Sequence, residues 1–241
     1  MTPTHAMVLA AGLGLRLRPL TEIMPKPLVP VAGRTLLDRA LDRLAAAGVG
    51  QAVVNVHYLA HMIEAHLAGR RMPRIALSRE DEELLETGGG VRKALPQLGR
   101  DPFYVVNADI AWEDGATPAL VRLAGAWDDA AMDALLLLHP VETATGYDGA
   151  GDYAVDGVGR LRRRRDEPAA PFVFTGIQLL HPRLFDGAPA GPFSLARLYD
   201  RAQEPGRLSG IVHDGDWHHI GTLAGLEIAE RRLAATSAGS G

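Results

Sequence analysis

The chain has 241 residues, 47% of them hydrophobic and 22% charged, with a formal net charge of −4 and no cysteine. That length and apolar content suffice for one large α/β domain with its own core and exclude extended disorder. The negative balance gives a nucleic-acid partner no support, the missing thiols exclude disulfides and thiolate chemistry, and no apolar run reaches membrane-spanning length.

No Lys or Arg precedes Arg16, so the apolar run Ala6–Ala11 does not read as a signal peptide. A cytoplasmic protein without a membrane partner is expected. The chain carries 23 Arg and two Lys, Lys26 and Lys93. A chain that nearly always chooses arginine places a compact ammonium at Lys26, which suggests that one is wanted there.

The first strand runs from Ala6 to Ala10. It breaks into a loop with Gly12, Gly14, Arg16 and Arg18, followed by Pro25-Lys26-Pro27. Glycines let backbone N–H groups approach a ligand, and a run of inward N–H groups cradles an anion. Arg16 supplies a planar fork suited to phosphate oxygens, and the prolines stiffen the arm that carries Lys26. The stretch reads as a triphosphate cradle with a lysine aimed at the reacting phosphorus. The dinucleotide fingerprint fails, because Leu17 stands where its third glycine belongs and Pro19 follows. The Walker A loop fails as well, because no glycine precedes a lysine.

Val31 to Arg34 reads as a turn. Leu36, Leu37, Ala40, Leu41 and Leu44 recur with helical period up to Gly48, a C-cap. Gln51–Val56 reads as a buried strand, Tyr58–Leu67 as a helix and Arg74–Ser78 as a strand. This βαβαβ order implies a parallel sheet with helices on both faces. His57 and His61 share a helical spacing but lack a third ligand, so they read as surface or capping residues.

Glu86-Thr87-Gly88-Gly89-Gly90 precedes a helix expected over Val91–Leu98. Three glycines there weaken the fold unless something needs bare backbone, and a flat nucleobase would. Phe103–Asn107 is an apolar strand ending in Ala108-Asp109. A carboxylate at the carboxyl end of a central parallel strand sits where α/β sheets bind ligands, and it can hold Mg²⁺ bridging phosphates.

Thr117–Trp127 reads as a helix and Met132–His139 as a buried strand. Thr143–Pro168 is rich in Gly and Asp, with short strands at Asp152–Val155 and near Leu161. The four arginines Arg162 to Arg165 read mostly as solvated. Phe172–Leu180 is an alternating strand, Pro182–Phe185 and Ser194–Gln203 short helices with Ser194 as N-cap, and Arg207–His213 a strand. Trp217-His218-His219-Ile220-Gly221-Thr222 leads into a last helix, Leu223–Leu233, capped by Thr222.

Leu9-Ala10-Ala11-Gly12-x-Gly14-x-Arg16, then Pro19-x-Thr21, then Pro25-Lys26-Pro27-Leu28, is complete in order and spacing. It resembles the signature of the nucleotidyltransferases that join sugar-1-phosphates to nucleoside triphosphates. The resemblance covers essentially the whole chain and implies a Rossmann-like, mostly parallel mixed sheet sandwiched by helices. One nucleotidyltransferase domain over residues 1–235 is expected, and the small, polar stretch 236–241 reads as a flexible tail. No hexapeptide repeat of the longer members is present.

The resemblance also implies roles. The partners are a nucleoside triphosphate and a sugar-1-phosphate. Leu9, Ala10, Ala11, Gly12, Gly14, Arg16 and Lys26 bind nucleotide, together with Glu86, Thr87, Gly88, Gly89, Asn107 and Asp109. Arg16, Lys26 and Asp109 carry catalysis. Asp152, Thr175 and Gly176 line the sugar pocket, where Thr175 could hydrogen-bond a hydroxyl. Asp109 is the first metal ligand. The family's second metal motif, Trp-x-Asp-x-Gly-Thr, has His219 at the Asp position. Mg²⁺ prefers oxygen, so His219 implies Mn²⁺, a cationic contact to phosphate, magnesium bound through water, or weakened activity.

Within the family, the short length, Leu-Glu-Thr-Gly-Gly-Gly and Phe-Thr-Gly-Ile are most similar to the uridylyltransferases that act on N-acetylmuramate-1-phosphate in cell-wall recycling. Mannose- or heptose-1-phosphate guanylyltransferases are the alternative. A non-catalytic nucleotide-sugar-binding protein is the alternative of a different class. Oligomeric state is not legible.

Overall fold

The structure, a computed structural model, describes residues 2–238. Its first half alternates strand and helix, with strands β1 (His5–Leu9), β2 (Pro30–Val31), β3 (Arg34–Thr35), β4 (Gln51–Val56), β5 (Arg74–Arg79), β6 (Phe103–Asn107) and β7 (Ile110–Trp112). The helices among them are α1 (Leu20–Ile23), α2 (Leu36–Ala46), α3 (Ala60–Leu67) and α4 (Glu86–Leu98). The second half contains α5 (Ala119–Ala126), β8 (Ala134–Pro140), β9 (Tyr153–Val155), β10 (Leu161–Arg163) and β11 (Phe172–Leu180). It closes with α6 (Ala196–Gln203), β12 (Leu208–Val212), β13 (Trp217–His219) and α7 (Leu223–Ala238).

Nine strands form one sheet, with the path β10-β9-β11-β6-β1-β4-β5 and with β8 joining β11 to β12. Strand β1 lies between β4 and β6 and is parallel to both, with Leu9 beside Asn55 and Asn107. Strand β11 turns the sheet antiparallel where it meets β6. This is the mostly parallel mixed sheet with helices that the sequence implies.

Alternate residues of β1 feed two cores. Ala6 and Val8 join the cluster with Leu37, Leu41 and Ile63, whereas Met7 joins Val53, Phe103 and Val105 against α4 and α6. A third cluster, with Leu17, Val29, Val31, Ile220 and Leu233, lies beneath the loop after β1 and seats it on α7. The Thr35 hydroxyl caps α2 by accepting from Asp38 N–H (3.0 Å), and the Thr222 hydroxyl accepts from Gly225 N–H (3.1 Å) at the start of α7.

Helix α7 continues to Ala238, into the stretch read from sequence as a tail, and 239–241 lie outside the described residues. Among the described residues no helix is long and apolar enough to cross a membrane.

Candidate active site

The site lies at the carboxyl ends of β1, β4 and β6, where a parallel sheet leaves strand-end backbone groups free for a ligand. The loop after β1 is locked from within. Gly14 sits at φ +64°, and the Thr21 hydroxyl donates to its carbonyl (2.8 Å). A Cβ on Gly14 would come 2.9 Å from Thr21 Cγ2, so both the φ and the space require glycine. At Gly12 an added Cβ would meet nothing within 4 Å.

Lys26 is delivered by the short turn Lys26–Leu28 between two prolines. It is 7% exposed, and its Nζ donates to Asp109 Oδ2 (2.9 Å). Gly12, Gly14, Arg16, Lys26, Asp109 and Gly221 thus face one cavity of about 350 Å³. Two cations, one carboxylate and a glycine loop fit a polyphosphate.

A second cavity of about 180 Å³ shares Leu9, Gly12 and Asp109 with the first and is closed by Ala11, Leu84, Glu86 and Thr87. Its walls are mostly apolar and suit a flat base. A third of about 260 Å³ shares Thr87 and Asn107 with the second. Asp152, Tyr153, Arg163, Phe174, Gln178 and Tyr199 line it. The three adjoin through these shared residues and pass from cationic through apolar to mixed polar and aromatic.

Two expected contacts are corrected. Gly88, Gly89 and Gly90 are not a loop before a helix; they form the first turns of α4. Gly88 and Gly89 N–H both donate to Phe193 O (2.7 and 3.2 Å) and do not face the base cavity. A Cβ at Gly88 would lie 2.3 Å from the Phe193 ring, and one at Gly89 2.5 Å from Gly191 O. Close packing against residues 191–193 needs bare backbone at Gly88 and Gly89, and Asn55 and Glu80, each 2.9 Å from an added Cβ, need it at Gly90. Glu86, at φ +58°, and Thr87 do reach the cavity.

Thr175 is fully buried. Its hydroxyl donates to Leu137 O (2.8 Å) and accepts from Ile177 N–H (3.2 Å), so it is spent inside the sheet and cannot serve a sugar. The cause is a register slip in β11 between Phe174 and Gln178, with Gly176 at φ +84°. Gly176 backs Asn107, whose Nδ2 would be 2.9 Å from an added Cβ, and is not in the lining of these three cavities. Asp152 does line the third cavity, and its Oδ2 accepts from Phe174 N–H (2.9 Å).

His219 is placed beside Asp109 by the antiparallel pairing of β13 with β7, which sets it opposite Ile110. Its ring stacks on Trp217 at 5.9 Å. A Cβ on Gly221 would come 2.4 Å from His219 Nε2 and 3.4 Å from Arg16 Cζ, so this glycine lets the two approach each other. Burial first, then the Lys26 and Arg16 charges, hold the His219 pKa below the usual histidine range against the pull of Asp109.

Among the described residues no three His, Asp or Glu side chains converge on a point. The donor set near the first cavity is one carboxylate with one oxygen on Lys26, and an imidazole close by whose pKa burial holds down. That set fits a divalent cation bound chiefly by phosphates and water, because Mg²⁺ commonly takes one or two carboxylates and keeps several waters.

Sequence reasoning missed the pair beneath the loop. Asn55 Oδ1 accepts from Ala10 N–H (2.7 Å), and its Nδ2 donates to Glu80 Oε1 (2.7 Å). Glu80 Oε2 accepts from Leu85 N–H (2.8 Å). These two buried residues tie the end of β1 to the start of α4. An asparagine inside the apolar strand Gln51–Val56 was the available signal. Of the four consecutive arginines, Arg163 is the one that lines the third cavity.

Residues 5–181 match the nucleotidyl transferase family model. The chain is 44% identical to the N-acetylmuramate alpha-1-phosphate uridylyltransferase of Caulobacter vibrioides, over 96% of its own length and 98% of that protein's. It is 34% identical to the Neisseria meningitidis protein of the same name, over 93% and 96%. Among solved structures, the inositol-1-phosphate CTP transferase from T. maritima superposes with a TM-score of 0.80 at 17% identity, covering 97% of this chain and 96% of that one, and speaks for the fold. By its family model and these identities, the chain belongs to the nucleotidyl transferase family.

Proposed function

We propose that this chain transfers the uridylyl group of UTP to N-acetylmuramate α-1-phosphate, giving UDP-N-acetylmuramate and pyrophosphate. The observation that carries the reading is the row of three adjoining cavities, whose linings suit a triphosphate, a base and a sugar in that order. The choice of base and sugar is supported by the 44% identity to the Caulobacter vibrioides uridylyltransferase.

A phosphate oxygen of the sugar-1-phosphate attacks the α-phosphorus, and the bond from that phosphorus to the bridging oxygen breaks. The nucleophile is already an anion, so no base is needed. The barrier is repulsion and misalignment between anions, and catalysis rests on positioning and fixed charge. Arg16 and the amides of the Gly12–Gly14 loop hold the departing pyrophosphate. Lys26 contacts the phosphates where charge develops. Asn55 and Glu80 keep the loop rigid while this happens.

Nucleotidyl transferases of this family use divalent metal ions, and Mg²⁺ is the ion proposed here. Asp109 would hold it, and when bound it neutralises phosphate charge. His219 frames Arg16 across Gly221.

The test is pyrophosphate release in a grid of UTP, GTP, CTP and dTTP against N-acetylmuramate-1-phosphate, mannose-1-phosphate and heptose-1-phosphate, with Mg²⁺ and with Mn²⁺. The highest kcat/KM is expected for UTP with N-acetylmuramate-1-phosphate. A maximum with GTP and a neutral sugar would overturn the assignment, and no release with any pair would leave a binding protein.

A further inference from the structure

The third cavity holds a guanidinium that the transfer chemistry does not use. Arg163 Nη1 donates to Asp200 Oδ2 (2.8 Å), while its Nε and Nη2 have no partner among the described residues. Its backbone N–H donates to Gln203 Oε1 (2.7 Å), and strand β10 pairs it with Tyr153 of β9. The residue thus lines the cavity from a strand, with Nε and Nη2 left over by the Asp200 pair.

The charges at this end balance, Arg163 and Arg165 against Asp200 and Asp152. Arg165 Nη2 also lies 3.9 Å from Asp200, so two guanidiniums share one carboxylate. Asp152, the other acid of the cavity, has Oδ2 bound to Phe174 N–H and is placed to accept from sugar hydroxyls. A second, independent observation lies in the wall: Gln178 is fully buried and its Nε2 has no hydrogen-bond partner, while its Oε1 accepts from the Tyr199 hydroxyl. A buried donor without an acceptor is costly unless a ligand supplies one.

These groups match a particular sugar. N-acetylmuramate differs from N-acetylglucosamine by a lactyl ether that ends in a carboxylate. We propose that Arg163 is the specificity residue that binds this carboxylate, so that the enzyme selects acidic over neutral amino-sugar phosphates. Gln178 lies on the same wall, where an acetamido oxygen would meet its free N–H. The inference rests on the uridylyl-transfer reading above.

The experiment measures kcat/KM for pyrophosphate release from UTP with N-acetylmuramate-1-phosphate and with N-acetylglucosamine-1-phosphate, and reads their ratio. The parent is expected to favour the acidic sugar. Arg163→Gln should lower the ratio about 10- to 100-fold, the worth of a charge-assisted hydrogen bond to a carboxylate. Arg162→Gln is the control: its side chain is 62% exposed, paired with Glu167 and outside this cavity, and the ratio should hold. If Arg163→Gln does not fold, Arg163→Lys carries the test, with a drop of about 3- to 10-fold because the charge stays but the fork is lost.

A parent that prefers the neutral sugar overturns the proposed function, and this inference with it. A parent that prefers the acidic sugar, with Arg163 variants that keep the parental ratio, overturns this inference alone. So does an equal fall with both sugars, which would make Arg163 a structural residue.

Discussion

Lys26 Nζ donates to Asp109 Oδ2 at 2.9 Å, joining residues 83 positions apart at the wall of the first cavity. The lysine side chain is 9% exposed and the aspartate 38%, so the pair is buried on one side and wet on the other. That asymmetry suits exchange: the carboxylate is open to a cation and phosphates from the cavity, while the ammonium stays fixed. Lys26→Met keeps the length of the stem and removes the charge. Its kcat should fall about 10²–10³-fold, by analogy with losing one preorganised donor at a developing charge. Stability should change by less than about 1 kcal/mol, since the abandoned carboxylate is solvated. Pyrophosphate release and a denaturant titration check the two parts, and parental turnover would remove Lys26 from the chemistry.

Behind the site lie histidines whose pKa values are pushed down. His213 is 4% exposed, and burial holds its pKa below the usual histidine range, with a smaller contribution from His139 and opposition from hydrogen bonds to Glu113 and Asp216. Its Nε2 lies 3.0 Å from Glu113 O, an acceptor, so the neutral ring carries its proton there. The unfolded chain protonates such a histidine near pH 6.5 and the folded chain only below that. Stability is therefore complete above about pH 7 and declines as pH falls, until the folded pKa is reached. Burial lowers His218 and His219 in the same way, so the slope is shared. Tm should drop between pH 8 and 5.5, and His213→Gln should remove one histidine's share of that drop. An unchanged pH profile in the variant would rule out His213 as a contributor.

The loop after β1 was legible because its chemistry is contiguous: glycines, an arginine and a proline-bracketed lysine carry their constraints in local order. Asp109 was legible because an apolar strand pointed it at the ligand edge of a sheet. What failed depended on partners far away in sequence. The Gly88–Gly90 run was read correctly as needing bare backbone, but what presses on it is protein: Phe193 on Gly88, Gly191 on Gly89, and Asn55 with Glu80 on Gly90. Thr175 was misplaced because a bulge turned its hydroxyl into the sheet. Arg163 was hidden in a run of four arginines, since nothing local says which one a neighbouring helix will orient.

Asn55 is the hinge between legible and hidden, and it makes a third prediction. Replacing it with leucine leaves Ala10 N–H without its acceptor and Glu80 Oε1 without its donor, both in buried surroundings. Each orphaned group costs about 1–3 kcal/mol, so Asn55→Leu should lose about 2–5 kcal/mol in a urea titration. The loop after β1 should loosen at the same time, raising KM for the nucleotide. A variant with parental stability would mean that water replaces both bonds.

Gly12 separates space kept for the fold from space kept for the ligand. Its backbone is not in the left-handed region, and an added Cβ would meet no protein atom within 4 Å. Nothing in the folded chain therefore requires glycine at this position. Gly14 is the contrast, with φ +64° and a Cβ that would strike Thr21. Gly14→Ala should lower stability by about 1–2 kcal/mol, the usual cost of a left-handed non-glycine residue. Gly12→Ala should leave Tm unchanged or slightly raised, because alanine restricts the unfolded chain. If the loop exists to let backbone reach phosphates, the same methyl should weaken nucleotide binding on the order of tenfold, since only a residue without Cβ permits that approach. Calorimetric titration with UTP beside thermal melts of both variants checks this. Gly12→Ala with parental affinity would place the triphosphate away from this loop, whatever its effect on stability.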